Sequence, residues 1–211
     1  MGLIDIDTMN QIVNIVKKEN PNAMIYGEGW NMDVKLPYDK RANMHNSSQM
    51  PNIAFFNDYF RNILKEKYLH GKVCDNNVIF NLFKGYYYKE GTFLSPNQSI
   101  NYLECHDNYT LYDKLVISLV CPEEDMSTIG DADLKQYCKA QSDLTAEQLT
   151  ELKKQNKLCA ALVFLAQGTP FINGGQEFMR TKQGDHNSYM SSDEINQIDL
   201  SFKTTNSDVY N

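Results

Sequence analysis

"NYLECHDNYTL", Asn101 to Leu111, decides how this chain is read. The apolar-leaning run Ile100-Asn101-Tyr102-Leu103 passes straight into Glu104, Cys105, His106, Asp107 and Asn108. A core strand ordinarily closes in one turn residue such as Gly, Pro, Asn or Asp. A whole run of polar groups suits two readings. One is a loop that opens on a capping Asp. The other is a chemical site at a strand's carboxyl end.

The pattern recurs. Ala23-Met24-Ile25-Tyr26 ends in Gly27-Glu28-Gly29-Trp30, Ile53-Ala54-Phe55-Phe56 ends in Asn57-Asp58, and Pro170-Phe171-Ile172 ends in Asn173-Gly174-Gly175-Gln176-Glu177. Short continuous apolar runs suit strands buried on both faces, as in parallel sheets. Helical patterns lie between them. Met9, Ile12, Val13 and Val16 fall at helical spacing, and Asn20-Pro21 stops that helix. Tyr59 to Tyr68 is a second amphipathic candidate. Thr145 and Gln148 form a capping box before a long helix. Its apolar face is expected at Leu149, Leu152, Leu158, Ala161, Leu162 and Leu165, with Gly168 as the C-cap glycine. Residues 72–98 and 121–143 read as long insertions.

Alternating helix and strand predicts an α/β fold with right-handed crossovers. Polar clusters at several strand ends are what a (β/α)8 TIM-type barrel carries on its active face. Four strands amount to half of one, so the expectation is a single partial barrel domain over residues 1–211, holding about the last four strands and their helices.

Composition narrows the function classes. The chain has 211 residues, 42% hydrophobic and 22% charged, which is globular composition. A net charge of −7 argues against a nucleic-acid or anionic-membrane partner. No run approaches the roughly twenty apolar residues of a spanning helix, and no basic-then-apolar leader is visible. Cys74, Cys105, Cys121, Cys138 and Cys159 are odd in number and form no CxxC pair. They read as reduced packing thiols, which leans toward the cytoplasm. No metal-binding spacing and no phosphate loop is present.

From the residues alone, Glu28 reads as a solvated loop carboxylate, Asp107 as a strand-end cap and His106 as a structural histidine. His45 and His70 stand among polar residues and read as solvated. Asn57 and Asp58 read as a structural cap for the following helix.

The combination in order is more specific. "YGEGW" (Tyr26–Trp30), "FFNDYFRN" (Phe55–Asn62), "YLECHDN" (Tyr102–Asn108), "QGTPFINGGQEFMRTKQGDHNSY" (Gln167–Tyr189) and "SSDEINQID" (Ser191–Asp199) follow one another along the chain. Together they resemble the catalytic barrel of the α-amylase superfamily of glycoside hydrolases, and most closely the type I pullulanases. The resemblance implies hydrolysis of α-1,6 branch linkages in pullulan, glycogen or starch-type glucans by a retaining two-carboxylate mechanism. It makes Glu28 the general acid/base, flanked by Gly27 and Gly29, which are expected to let the backbone turn. Trp30 would supply a stacking face. Asp107 would be the carboxylate that stabilises the transition state, with His106 on the same sugar and Asn108 on its neighbour. Asp185, His186, Asn187 and Tyr189, in the loop after the fourth strand, would line outer sugar subsites or form a merely solvated loop.

The resemblance also sets expectations about extent. "MGLIDIDTMNQI" resembles the link that follows the family's nucleophilic Asp, so the nucleophile is expected upstream of Met1. The isolated chain is then expected to be inactive, to need an N-terminal half barrel as partner, and to self-associate. The alternatives are a non-catalytic or degenerate α-glucan-binding fragment, or another superfamily enzyme such as an isoamylase. The expected partner is an α-glucan. No cofactor is expected; relatives admit calcium, but no ligands are identifiable here. Secretion stays open beside the cytoplasm, because the resemblance puts the true amino terminus upstream.

Overall fold

The computed structural model describes residues 1–64, 76–85, 87–88, 91–122 and 128–211. His70, Cys74 and the far end of the Tyr59–Tyr68 pattern lie outside these residues, as does part of each expected insertion. The chain divides into two compact units, residues 1–60, 75–102 and 165–171 forming the first, and residues 61–74, 103–164 and 172–211 the second.

The first unit is built on a parallel sheet. Its strands are β1 (Tyr26–Gly27), β2 (Ala54–Phe56), β5 (Ser99–Asn101) and β6 (Thr169–Pro170), in the order β1-β2-β5-β6. The register pairs Tyr26 with Ala54, Phe55 with Ser99 and Ile100 with Thr169, all parallel. A short antiparallel hairpin, β3 (Tyr87–Tyr88) and β4 (Gly91–Thr92), lies within the first expected insertion. All four expected strands form, though each is shorter than its apolar run.

Helix α1 (Ile6–Glu19) covers one face of this unit. Asp5 accepts the Thr8 amide at 2.8 Å and caps it, and Asn20, just before Pro21, closes it. Ile6, Met9 and Val13 are buried, packing with Ala42, Met50, Ile53, Phe55 and Phe93. Each such side chain removed from water contributes about 2 kcal/mol. Ile12, expected on the buried face, is 38% exposed; a helix with one covered side hides residues three and four apart, and Ile12 lies off that stripe. On the opposite face of β2, Phe56 meets Tyr102 and Phe171 edge-on at centroid distances of 5.1 and 5.0 Å.

A buried polar relay ties the strands together. Asn57 Nδ2 donates to Ser99 Oγ at 3.0 Å, Ser99 Oγ donates to Asn101 Oδ1 at 2.9 Å, and Asn101 Nδ2 donates to the Gln167 carbonyl at 2.8 Å. Gln98 does similar work nearby. Its amide nitrogen serves the carbonyls of Ser47 and Met50, both at 3.0 Å, while its oxygen accepts the Leu94 amide at 2.9 Å. Each amide completes groups that would be costly to bury unpaired.

The second unit is helical and looped. Helix α4 (Leu111–Val120) is capped by Thr110, whose hydroxyl accepts the Asp113 amide at 3.0 Å. The long helix Ala146–Leu165 opens on the expected box: Thr145 Oγ1 accepts the Gln148 amide and Gln148 Oε1 accepts the Thr145 amide. Its buried face differs from the expectation. Leu152, Asn156, Cys159 and Val163 are buried, whereas Leu158 and Leu165 are 56% and 73% exposed. The covered stripe runs through a polar residue, Asn156, which donates to the Gln176 carbonyl at 3.4 Å. Of the leucines expected on that face, Leu152 is buried, Leu149 and Leu162 are half-buried, and the others are open.

Candidate active site

Glu28 directly follows β1 and is exposed. Its glycine neighbours do not serve as expected. The left-handed glycines among the described residues are Gly85, Gly168, Gly175 and Gly184, so Gly27 and Gly29 turn no corner that another residue would refuse. Gly29 is needed for space: a Cβ there would lie 2.6 Å from the Phe55 ring and 3.0 Å from Met44 Cβ. Trp30 is 42% exposed and offers an open ring face.

The Asp107 cluster belongs to the second unit. Asp107 Oδ1 lies 2.7 Å from Cys105 Sγ and 4.0 Å from Arg61 Nη1. Arg61 is buried and spends its Nε on Asn62 Oδ1 at 2.8 Å. Burial pushes the Asp107 carboxyl up, but hydrogen bonds from Cys105 and Asn108 and the charges of Arg61 and His106 outweigh it, leaving the group below its usual range. Its side chain is 39% exposed. Asn108 takes a left-handed conformation, φ +59°, which Asn tolerates better than most residues. That turn sends the chain into Tyr109 and the Thr110 cap, so Thr110 rather than Asp107 starts the helix. His106 is exposed, and its carbonyl accepts Lys182 Nζ at 2.9 Å.

Around this cluster the unit is stitched by buried carboxylates. Glu104 accepts the Leu111 amide and Asn173 Nδ2, both at 2.8 Å. Asp113 accepts the Thr181 hydroxyl and the Lys182 amide, the latter at 2.9 Å. The loop after β6 is thereby held against the residues after β5. Within that loop Asp185 serves its own turn, accepting the Ser191 hydroxyl and, at 3.0 Å, the Asn187 amide. The Ser191 bond chiefly holds its carboxyl low. Asn187 is exposed and Tyr189 is 78% exposed. Of the expected site residues, Asp107, His106 and Asn108 form one turn, Asn187 and Tyr189 stand open beyond it in sequence, and Asp185 is committed to its loop.

Sequence reasoning passed over Arg61, Cys105, Asp113 and Lys182. Arg61 stood inside the quoted "FNDYFRN", which was the available signal. The others carried none, since their partners are distant or two residues away. Asn57 caps the next helix as expected, its Oδ1 accepting the Phe60 amide at 3.1 Å; Asp58 accepts the Tyr102 hydroxyl instead. Among the described residues, no three His, Cys, Asp or Glu side chains gather as metal ligands would, and no helix is long and apolar enough to cross a membrane.

Comparison with known proteins decides the family. Pullulanase of Bacillus subtilis strain 168 is 35% identical over 216 residues, which is 97% of this chain and 27% of that protein. The chain belongs with the type I pullulanases. The crystal structure of the Bacillus subtilis type I pullulanase complexed with maltose matches 99% of the chain at a TM-score of 0.79 and 32% identity. The pullulanase of Paenibacillus barengoltzii, in complex with maltohexaose and α-cyclodextrin, matches 100% of it at 0.79 and 33% identity. These structures share the α-amylase fold, and the four-stranded parallel sheet is in keeping with part of its barrel. The chain covers 27% and 30% of the two structures. No family model matches it.

Proposed function

We propose that this pullulanase-type chain carries the acid/base half of an α-1,6-glucan debranching site. The observation that carries the reading is the parallel pairing of the sheet. β1, β2 and β5 run the same way in one sheet, so their carboxyl ends share one edge; in sequence Glu28 follows β1 and Asp107 comes after β5. In parallel α/β folds that edge is where substrates bind.

Glu28 protonates the departing glycosidic oxygen and later takes a proton from the incoming water. Asp107 accepts hydroxyls of the ring that flattens toward the oxocarbenium-like transition state, and these bonds strengthen as positive charge develops. His106 and Asn108 donate to the same and the adjacent sugar. Trp30 and Tyr189 stack on outer rings. The retaining mechanism also needs a nucleophilic carboxylate about 5–5.5 Å from the acid, and the resemblance assigns that role to none of the 211 residues. Maltose and maltohexaose in the related structures support a glucan chain as the ligand.

The test is hydrolysis of pullulan, glycogen and linear amylose by the whole protein, with and without Glu28→Gln. Pullulan is expected to be cleaved fastest, and the variant is expected to lose about 10²–10⁴-fold in kcat. An unchanged kcat removes Glu28 from the mechanism, and a preference for amylose removes the debranching reading. The exposure of Glu28, Trp30 and Tyr189 favours a second reading for the chain acting alone: glucan binding without turnover. Calorimetry with maltohexaose on the 211-residue chain separates that reading from simple inertness.

A further inference from the structure

Cys105 precedes His106 and Asp107 in the same turn, and its buried side chain faces a carboxylate. It is 7% exposed, and its sulfur lies 2.7 Å from Asp107 Oδ1 and 3.9 Å from the Asp107 carbonyl. Arg61 Nη1 approaches the same carboxylate oxygen. The intervening peptide is held too, since Lys182 Nζ is bound to the His106 carbonyl and Asn108 turns the chain through its left-handed φ. The turn 105–108 is thus gripped at carbonyl, carboxylate and backbone.

We infer that Cys105 is a positioning residue for Asp107. Its thiol hydrogen is donated to Oδ1 and, together with Arg61 on that oxygen, sets the orientation in which the carboxylate meets a sugar. The inference rests on the substrate-binding role proposed for Asp107. Its physical basis is that a neutral thiol remains a donor only while protonated. Burial, reinforced by the adjacent carboxylate, pushes the Cys105 thiol up to about 12, so it stays protonated through the range in which the protein works. A carboxylate 39% exposed has rotational freedom to lose, and a donor fixed by burial reduces it. The groups facing this carboxylate are Cys105, Asn108, Arg61 and His106.

The experiment is a carbon-13 NMR titration of the Asp107 side-chain carboxyl, assigned by its loss in Asp107→Asn, in the 211-residue chain and in its Cys105→Ala and Cys105→Ser variants. The midpoint is expected to rise in Cys105→Ala and to return toward the wild-type value in Cys105→Ser, which restores a donor. An unchanged midpoint in Cys105→Ala overturns the inference. A reciprocal measurement avoids any variant at the buried position. Alkylation of Cys105 at pH 9, followed by peptide mass spectrometry, is expected to run several-fold faster in Asp107→Asn than in wild type, because the thiolate no longer forms beside an anion. Equal rates overturn the inference as well. Neither readout uses substrate, so a whole protein that fails to cleave pullulan would defeat the debranching reading while leaving these titrations to decide the thiol contact.

Discussion

Asn101 Nδ2 donates to the Gln167 carbonyl at 2.8 Å, and the next residue, Gly168, has no room for a side chain beside the Asn101 amide. The glycine has φ +118°, and a Cβ there would lie 2.8 Å from Asn101 Nδ2 and 2.9 Å from the Ser99 carbonyl. It was expected to end a helix; its larger task is to let the chain enter β6 beside β5. Gly168→Ala therefore carries both a backbone and a steric penalty. The expected loss is about 1–3 kcal/mol in urea denaturation, and a variant as stable as wild type would show that the contact yields.

Asp113 is fully buried and holds the Thr181 hydroxyl and the Lys182 amide. Asp113→Ala leaves both donors without this acceptor in a dry site. The expected destabilisation is ~3 kcal/mol, accompanied by faster proteolysis within residues 172–191. Cleavage at the wild-type rate would mean that other contacts hold the loop.

Asp107 gives a pH dependence whose direction is set. Its folded-state pKa lies below the reference value of 3.8. A carboxyl depressed on folding stabilises the native state at pH values above its unfolded pKa, and this contribution fades as pH falls through the folded value. The urea midpoint of the wild type, minus that of Asp107→Asn, is thus expected to be constant above about pH 5 and to shrink below pH 3.8. A gap that widens on acidification would reverse the assigned direction.

Among the described residues, the four-stranded sheet ends in β1 on one side and β6 on the other, each with one strand neighbour. In β1 Tyr26 is 48% exposed, Met24 just before it is 45% exposed, and elsewhere Leu158 and Leu165 are open. Unpaired edges and open apolar side chains favour association. Sedimentation of the 211-residue chain is expected to show concentration-dependent oligomers, reduced by Tyr26→Lys. A monodisperse monomer at high concentration would contradict this.

Local order was largely legible in the residues. The four apolar runs became four strands, Asn20-Pro21 stopped α1, and Thr145 and Gln148 closed their box, because capping and stopping act over a few residues and leave a short-range signature. The "ECHDN" stretch stood out too, since no core strand needs so many polar groups in sequence. What the residues could not display were pairings made across the fold. Cys105 read as a packing thiol until its sulfur met Asp107; Arg61 lay 46 positions from the carboxylate it approaches; Asp113 and Lys182 lay 69 apart. The buried side of the long helix kept Leu152 but ran on through Asn156, Cys159 and Val163 and left Leu158 and Leu165 open, because burial is decided by what packs against a helix. Sequence determined where the chain turns and which groups reach strand ends. Only the tertiary structure decided which of those groups are spent on holding the site and which stay open, because desolvation and hydrogen bonding depend on neighbours brought together by folding.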